Sequence, residues 1–571
     1  MDDRQSLQLV LLWHMHQPDF RDFSTGEFRH PWVYLHALKD YTDMAAHLEN
    51  HPGMRAVVNL VPILLDQLED YADQFATGQI RDPLLRLLAR ENLDELDLVE
   101  RQRIVEQCFL GNHIKMIEPF TPYKRLRDLF QYVRDLGGEP VRYLSGQYLA
   151  DLLTWYHLSW TGETVRRKEE TIVRLMTRGE NFTHADRRSL FDLIGQLIRD
   201  VIARYRRLAE SGRVELSSTP QYHPIGPLLL DFGCTRDALP EAPLPNADRY
   251  PGGRSRLAWH IHTARASHTR RFDSPPRGLW PAEGAVSTAF AQVLAEEGTG
   301  WIASGEALLA NSLKKSGLTV TSRQDYLYRP YRMQFGQHGI NCFFRDDRLS
   351  DLIGFEYKQW HGKDAAAHFM SQLDEIRMQA PEGETPVVSV ILDGENAWEY
   401  YPYNGFYFLE DLYRSLESHT DIRTATFADI TTQLEEKGNS IKAHALPQLA
   451  AGSWVYGNLS TWIGSPQKNL AWDLLASAKQ CYDLVIASGR LSEEAMATAS
   501  RQLAICEGSD WFWWFGDYNP PHAVAMFDQL FRANLVNLYG LLQLPAPAQL
   551  SEPISRGGGD PDLGGAMRRA A

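Results

Sequence analysis

Short apolar runs that break off at polar or aromatic clusters recur along this chain, and the fullest of them is residues 387–392. There Val387, Val388, Ser389, Val390, Ile391 and Leu392 lead straight into Asp393-Gly394-Glu395-Asn396-Ala397-Trp398. A largely β-branched run of this kind predicts a strand buried on both faces, as in a parallel sheet, delivering chemistry at its C-terminal end. Pro386 opens it where no ladder hydrogen bond is needed, and Gly394 lets the backbone turn once Leu392 has passed. Six further runs share the layout. They are 7–13 before His14-Met15-His16-Gln17-Pro18, 56–61 before Pro62, 214–219 before Pro220-Gln221-Tyr222-His223-Pro224, 278–283 closing on Trp280-Pro281-Ala282-Glu283, 301–304, and 341–347 closing on Arg345-Asp346-Asp347. Residues 63–68, 288–297 and 364–378 show helical spacing between them. Strands alternating with helices predict an α/β fold with a parallel sheet, and functional residues gathered at one end of the strands predict barrel-like closure. An open doubly wound sheet is the alternative, but no G-x-G-x-x-G follows the first strand to support a dinucleotide site.

The period changes twice. From about 80 to 212 it is close to 3.6, as in Leu190, Ile194, Leu197, Ile198, Val201 and Ile202, which predicts a helical insertion. Its aromatic stretch 148–160 reads as core packing. Beyond 445 the pattern is helical again, over 469–488, 492–505 and 522–542, preceded by a loop at 452–458 that carries Trp454. The expected organisation is a catalytic barrel over 1–444, a helical domain over 445–544 that completes the cleft, and a Pro-, Gly- and Ala-rich tail over 545–571 without fixed structure.

Composition narrows the function. A formal net charge of −15, from 73 acidic against 58 basic residues and without a long basic run, disfavours nucleic acid and anionic membrane as partners. Five scattered cysteines with no C-x-x-C pair argue against a disulfide framework and a structural zinc site, so the expected compartment is the reducing cytoplasm. The apolar run 7–13 passes into polar residues with no small-residue cleavage site, so no signal peptide is expected, and no run approaches the ~18 apolar residues of a membrane span. With 15 Trp and 24 Tyr the chain is rich in faces that hold sugar rings.

Two carboxylates end separate strands, Glu283 and Asp393. Glycoside hydrolysis needs such a pair, one to attack or activate water and one to protonate the leaving oxygen. His14 and His16, at H-x-H spacing, point to one face of a strand and could seed a metal site with Asp393 or His223, so metal-dependent hydrolysis competes. The run Gly508-Ser509-Asp510-Trp511-Phe512-Trp513-Trp514-Phe515-Gly516-Asp517 packs five aromatics between acids and glycines. Five in a row cannot all point inward, so at least one of Trp511, Trp513 and Trp514 is expected on a cleft.

Taken in order, the His14 to Pro18 stretch, 215–224, 279–283, 392–396 and 452–464 resemble the five signature regions of glycoside hydrolase family 57, most closely its amylopullulanase and α-amylase-like branch. The resemblance spans residues 7 to about 530. It implies an incomplete (β/α)7 barrel followed by a helical domain, a retaining mechanism on α-glucans, and no catalytic metal or cofactor. It places Glu283 as nucleophile and Asp393 as acid/base, with His14, His16, His223, Trp280 and Trp398 where the family contacts sugar. Glu395 and Trp454, inside the fourth and fifth regions, join Trp511, Trp513 and Trp514 as further candidate sugar contacts. The expected activity is hydrolysis of α-1,4 and also α-1,6 bonds in starch, glycogen or maltodextrin. A 4-α-glucanotransferase is the alternative, with a metal-dependent deacetylase or mannosidase and a non-catalytic glucan-binding protein more remote.

Overall fold

A computed structural model describes residues 6–436 and 440–559. Seven parallel strands form its centre: β1 (Leu7–Met15), β2 (Ala56–Leu60), β3 (Val214–Ser217), β4 (Gly278–Leu279), β5 (Trp301–Gly305), β6 (His338–Arg345) and β7 (Val387–Asp393). They match the seven apolar runs. β7 pairs with β1 from Gln8↔Val387 to His14↔Asp393, and β1 with β2, β2 with β3, β4 with β5 and β5 with β6 continue the ring. Two seams close it through one pair each, Ser218↔Leu279 between β3 and β4 and Arg345↔Ser389 between β6 and β7. β4 is shorter than the run 278–283, because Trp280 N–H reaches Ser218 O and the chain then turns away at Pro281, which has no N–H to give. Three strands were not expected: Tyr331–Phe335 antiparallel to β6, Ile422–Thr424 beside the start of β1, and His444–Ala445. The last two are three and two residues long, too short for a periodic signal.

Alternation along the strands sorts two cores. Val10 and Leu12 of β1, Val57 of β2, Trp301 and Ala303 of β5, Phe343 of β6 and Val387 and Ile391 of β7 fill the barrel interior. Their neighbours, Leu9, Leu11, Trp13, Val58, Ile302, Phe344, Val390 and Leu392, pack outward under the helices. Both strand faces are therefore buried, which is why the runs read as continuous. Phe427 plugs the interior, its ring 4.4 Å from Phe343 and 4.6 Å from Trp301. Carried one step further along the same alternation, the inward positions become polar: His14 after Leu12, Asn59 after Val57, Arg345 after Phe343 and Asp393 after Ile391. The apolar plug thus ends where the site begins.

Residues 80–212 are helical, with Leu98–Cys108, Thr121–Asp135, Gly146–Ser159 and His184–Glu210 as the main elements. The last starts at a capping box in which Thr183 and Asp186 satisfy each other's backbone N–H. After the β3 turn comes α1 (Gly253–Phe272), and the C-terminal region supplies α2 (Pro466–Ala487), α3 (Glu493–Cys506), α4 (Asp510–Trp514) and α5 (Pro521–Leu541). No described helix is long and apolar enough to cross a membrane.

Glu507, fully buried at the end of α3, fastens this region to α1. It accepts from Arg256 Nε at 2.8 Å, Arg256 Nη2 at 2.9 Å, His260 Nε2 at 2.8 Å and the Tyr250 hydroxyl at 2.5 Å. Burial pushes the carboxyl up, but the Arg256 charge and the His260 hydrogen bond outweigh it and hold the group at about 2. Removing the acid strands a buried guanidinium, so Glu507→Ala is expected to cost roughly 3–5 kcal/mol. The pH dependence follows from the sign: a depressed acid stabilises the fold above its unfolded value near 4.5 and loses that contribution as pH falls toward 2. Denaturation of wild type and variant between pH 7 and 3 should therefore show the gap narrowing at the acid end.

The tail expectation is corrected for its first part. Leu550 and Ile554 are buried, and the N–H groups of Ile554 and Ser555 donate to Asp528 Oδ1 of α5 at 2.7 and 3.1 Å. Composition does not register two apolar anchors and one carboxylate that caps them. Residues 560–571 lie outside the described residues.

Candidate active site

Glu283 stands on a tight turn just past β4, and its backbone lies in the left-handed region at φ 58°, ψ 23°. A non-glycine residue there costs of order 1–3 kcal/mol and persists only where the surroundings impose it. They do here: Gly284 N–H bonds Pro281 O at 2.8 Å, Ser304 Oγ bonds Gly284 O at 2.6 Å, and Trp454 N–H bonds Glu283 O at 3.2 Å. Gly284 follows at φ 57°, with Trp280 and Trp454 side chains against the place of a Cβ. The strain aims the Glu283 carboxyl into a cleft, where Trp454 Nε1 donates to its Oε2 at 3.1 Å.

Asp393, the last inward residue of β7, enters the same cleft. Burial raises its carboxyl to about 6, against the Asn396 Nδ2 hydrogen bond at 2.8 Å and the charges of His16 and Arg345. Arg345 is itself held by Ile391 O at 2.8 Å and by Asp347 and Asp351, beneath the Trp454 ring. Glu395 also lines the cleft, accepting from His16 N–H at 3.0 Å and, more loosely, from Gln17 and Tyr41. Burial and the neighbouring Asp393 keep it protonated well above the usual carboxylate range.

Three imidazoles stack at the base of the cleft, His14 and His16 lining it and His223 behind them. His14 Nδ1 donates to Asn59 Oδ1 at 2.7 Å, since Asn59 spends its amide N–H on Ser217 Oγ and its Oδ1 already accepts from Thr219. That fixes the tautomer with Nε2 as acceptor. The His14 ring lies 5.2 Å from His223, and His223 lies 4.0 Å from His16. Burial first, then the neighbouring imidazoles, drops His14 to about 3 and His223 far below its usual range, so both are neutral near pH 7. His16 Nε2 meets Asp510 Oδ1 at 2.9 Å.

The cleft has a volume of about 340 Å³, within the roughly 300–1,000 Å³ of ligand sites. Of the residues singled out in the sequence, His14, His16, Glu283, Asp393, Glu395, Trp454, Trp513 and Trp514 line it together. Four stand elsewhere. His223, 1% exposed, backs His16, and Trp280 lies in the barrel interior edge-on to Trp454 at 5.2 Å. Trp398 turns inward to bond Gly394 O at 2.9 Å beside Trp13, and Trp511 bonds Ile505 O at 2.9 Å and packs on Phe531. Expected as contacts to a bound sugar, these four are instead buried behind the cleft or in the core, because a turn and a one-turn helix aim alternate side chains in opposite directions. Trp513→Ala and Trp514→Ala are accordingly expected to raise KM for long glucans severalfold. Trp511→Ala should lower the melting temperature and leave KM unchanged; steady-state kinetics beside calorimetry separates the outcomes.

Sequence reading passed over Asn59, Asn396, Arg345 and Asp510 as site residues. Arg345 and Asn396 carry the signal that could have found them, a polar residue at or just past the end of a buried strand. For Asn59 the mid-run position hid it, and Asp510 reaches the site only through the pairing of α4 with the His223 turn. Trp32, His36, Trp160, Glu399 and Tyr400 also line the cleft.

A strained carboxylate, a buried protonated carboxyl and an aromatic wall suit a polyhydroxylated substrate. Residues 10–444 match the model of glycosyl hydrolase family 57. The chain belongs to that family. Family 57 membership makes it an enzyme, and the match covers four of the five sequence regions, ending before 452–464. Solved structures sharing the family 57 fold include a branching enzyme of Thermococcus kodakaraensis (14% identity, 94% of this chain and 90% of that one, TM-score 0.58). A branching enzyme of Pyrococcus horikoshii (14%, 97% and 99%, 0.56) and the α-amylase AmyC of Thermotoga maritima (12%, 96% and 94%, 0.55) share it as well. At these identities the likeness is one of fold. No curated protein matches the chain by sequence.

Proposed function

We propose that this family 57 enzyme acts on α-1,4-linked glucans by double displacement, with Glu283 as nucleophile and Asp393 as acid and then base. One observation carries the reading: two carboxyls line a single cleft in opposite environments, Glu283 partly open and paired to Trp454 Nε1, Asp393 buried and raised to about 6. Divergent environments are what separates a nucleophile from a proton donor in a glycosidase. Neutral His14 and protonated Glu395 offer donors and acceptors to sugar hydroxyls, and the indoles offer faces to sugar rings.

A second reading, transfer of the glucan to a sugar hydroxyl, is favoured by the aromatic wall. Trp32 and Trp160, 5.7 Å apart, and Trp513 with Trp514 belong to distant parts of the chain and could hold a donor and an acceptor separately. The solved structures of the same fold include branching enzymes. Incubation with maltoheptaose and with amylose decides. Shorter sugars alone mean hydrolysis, a ladder of longer linear sugars means 4-α-transfer, and new α-1,6 linkages by NMR mean branching. No change in either substrate would overturn the glucan reading.

A further inference from the structure

At and just beneath the base of the cleft stand polar groups to which the double-displacement reading gives no chemical role. His16, His223 and Asp510 each present a ligand atom within 4.8 Å of the other two. The arrangement comes from three separate stretches: His16 just past β1, His223 on a turn with φ 59°, and Asp510 at the start of α4. Ser509 joins the last two, its N–H bonding His223 O at 3.0 Å and its hydroxyl meeting His223 Nδ1 at 2.8 Å. With Nδ1 engaged, His223 Nε2 is left buried without a hydrogen-bond partner, as is His16 Nδ1. Buried polar nitrogens are rarely left this way without a reason.

We propose that His16, His223 and Asp510 bind one divalent cation of the zinc class, and that an ion held there competes with the substrate. Two imidazoles and one carboxylate, with the fourth position open to the cleft, are the donor set of an open tetrahedral site; calcium and magnesium prefer all-oxygen shells. Ser509 supplies the outer-shell contact that orients a ligating imidazole. With zinc–nitrogen bonds of ~2.0–2.1 Å, tetrahedral ligands stand about 3.3–3.5 Å apart; the three groups already lie within 4.8 Å of one another, and the His16 Nε2–Asp510 Oδ1 hydrogen bond of 2.9 Å gives way to the ion. His16 and Asp510 line the cleft, so an ion on them takes the lone pairs and the space a sugar would use. This second half rests on the glucan reading, whereas the site itself does not.

The test is a Co²⁺ titration of the full-length, chelator-stripped protein, read by visible d–d absorption and displaced by Zn²⁺. One equivalent per chain is expected. His223→Gln and Asp510→Asn should each weaken binding by at least about 100-fold, and Ser509→Ala by about tenfold, within the roughly 10–100-fold of outer-shell changes. Melting curves exclude misfolded variants, and Ser509→Ala, which keeps all three ligands, decides if the others fail to fold. A cobalt band that never saturates in the millimolar range overturns the site, and so does saturable binding unchanged in every folded variant. On maltodextrin, Zn²⁺ should raise KM and leave kcat unchanged; a fall in kcat at constant KM overturns the competition while the cobalt titration still decides the site.

Discussion

Glu283→Ala is expected to lose at least ~10³ in kcat on maltodextrin, with azide restoring turnover as a glycosyl azide of inverted stereochemistry. The size follows from the step removed, since without a carboxylate on that face the anomeric carbon has no nucleophile in the protein. Azide is small and anionic, fits the space the side chain leaves, and attacks from the same side. The backbone supplies a control. Glu283 sits at φ 58°, where alanine is strained to a similar degree, so the variant should fold with nearly the parent stability and the loss can be read as chemistry. Near-normal activity, or a loss that azide does not touch, would remove Glu283 as nucleophile.

Asp393→Ala should damage maltodextrin far more than α-maltosyl fluoride, because fluoride leaves without needing a proton whereas a sugar oxygen does not. An expected gap of at least ~10² corresponds to the contribution of a positioned general acid. The wild-type pH profile follows from the same carboxyl. An acid raised to about 6 is protonated below that pH and lost above it, so kcat/KM should fall on the alkaline side with an apparent value near 6. Asn396→Ala removes a hydrogen bond that favours the charged form, so burial is less opposed and the alkaline limb should move to higher pH. Equal losses on both substrates, or an unmoved limb in Asn396→Ala, would make Asp393 structural and turn attention to Glu395, which is also buried and protonated in the cleft.

Much of this was legible along the chain because it depends on neighbours in sequence. A strand buried on both faces writes itself as an unbroken apolar run, so all seven barrel strands could be placed, and the residue that ends the inward alternation, as at His14 and Asp393, could be named without coordinates. Glu283 was visible for a similar reason, standing after a strand and a proline. What the tertiary structure decided is which groups meet across distance and which way an aromatic ring faces. His16 bonds Asp510 across 494 positions, and Glu507 bonds Arg256 across 251. Trp398 and Trp511 went to the core while Trp513 and Trp514 went to the cleft, although all four have the same side chain. Local periodicity reports the backbone of a segment and the faces it buries. Side-chain pairing and the protonation state it imposes depend on the packing of segments hundreds of residues apart, and that is settled only when the barrel closes and α4 docks against the His223 turn.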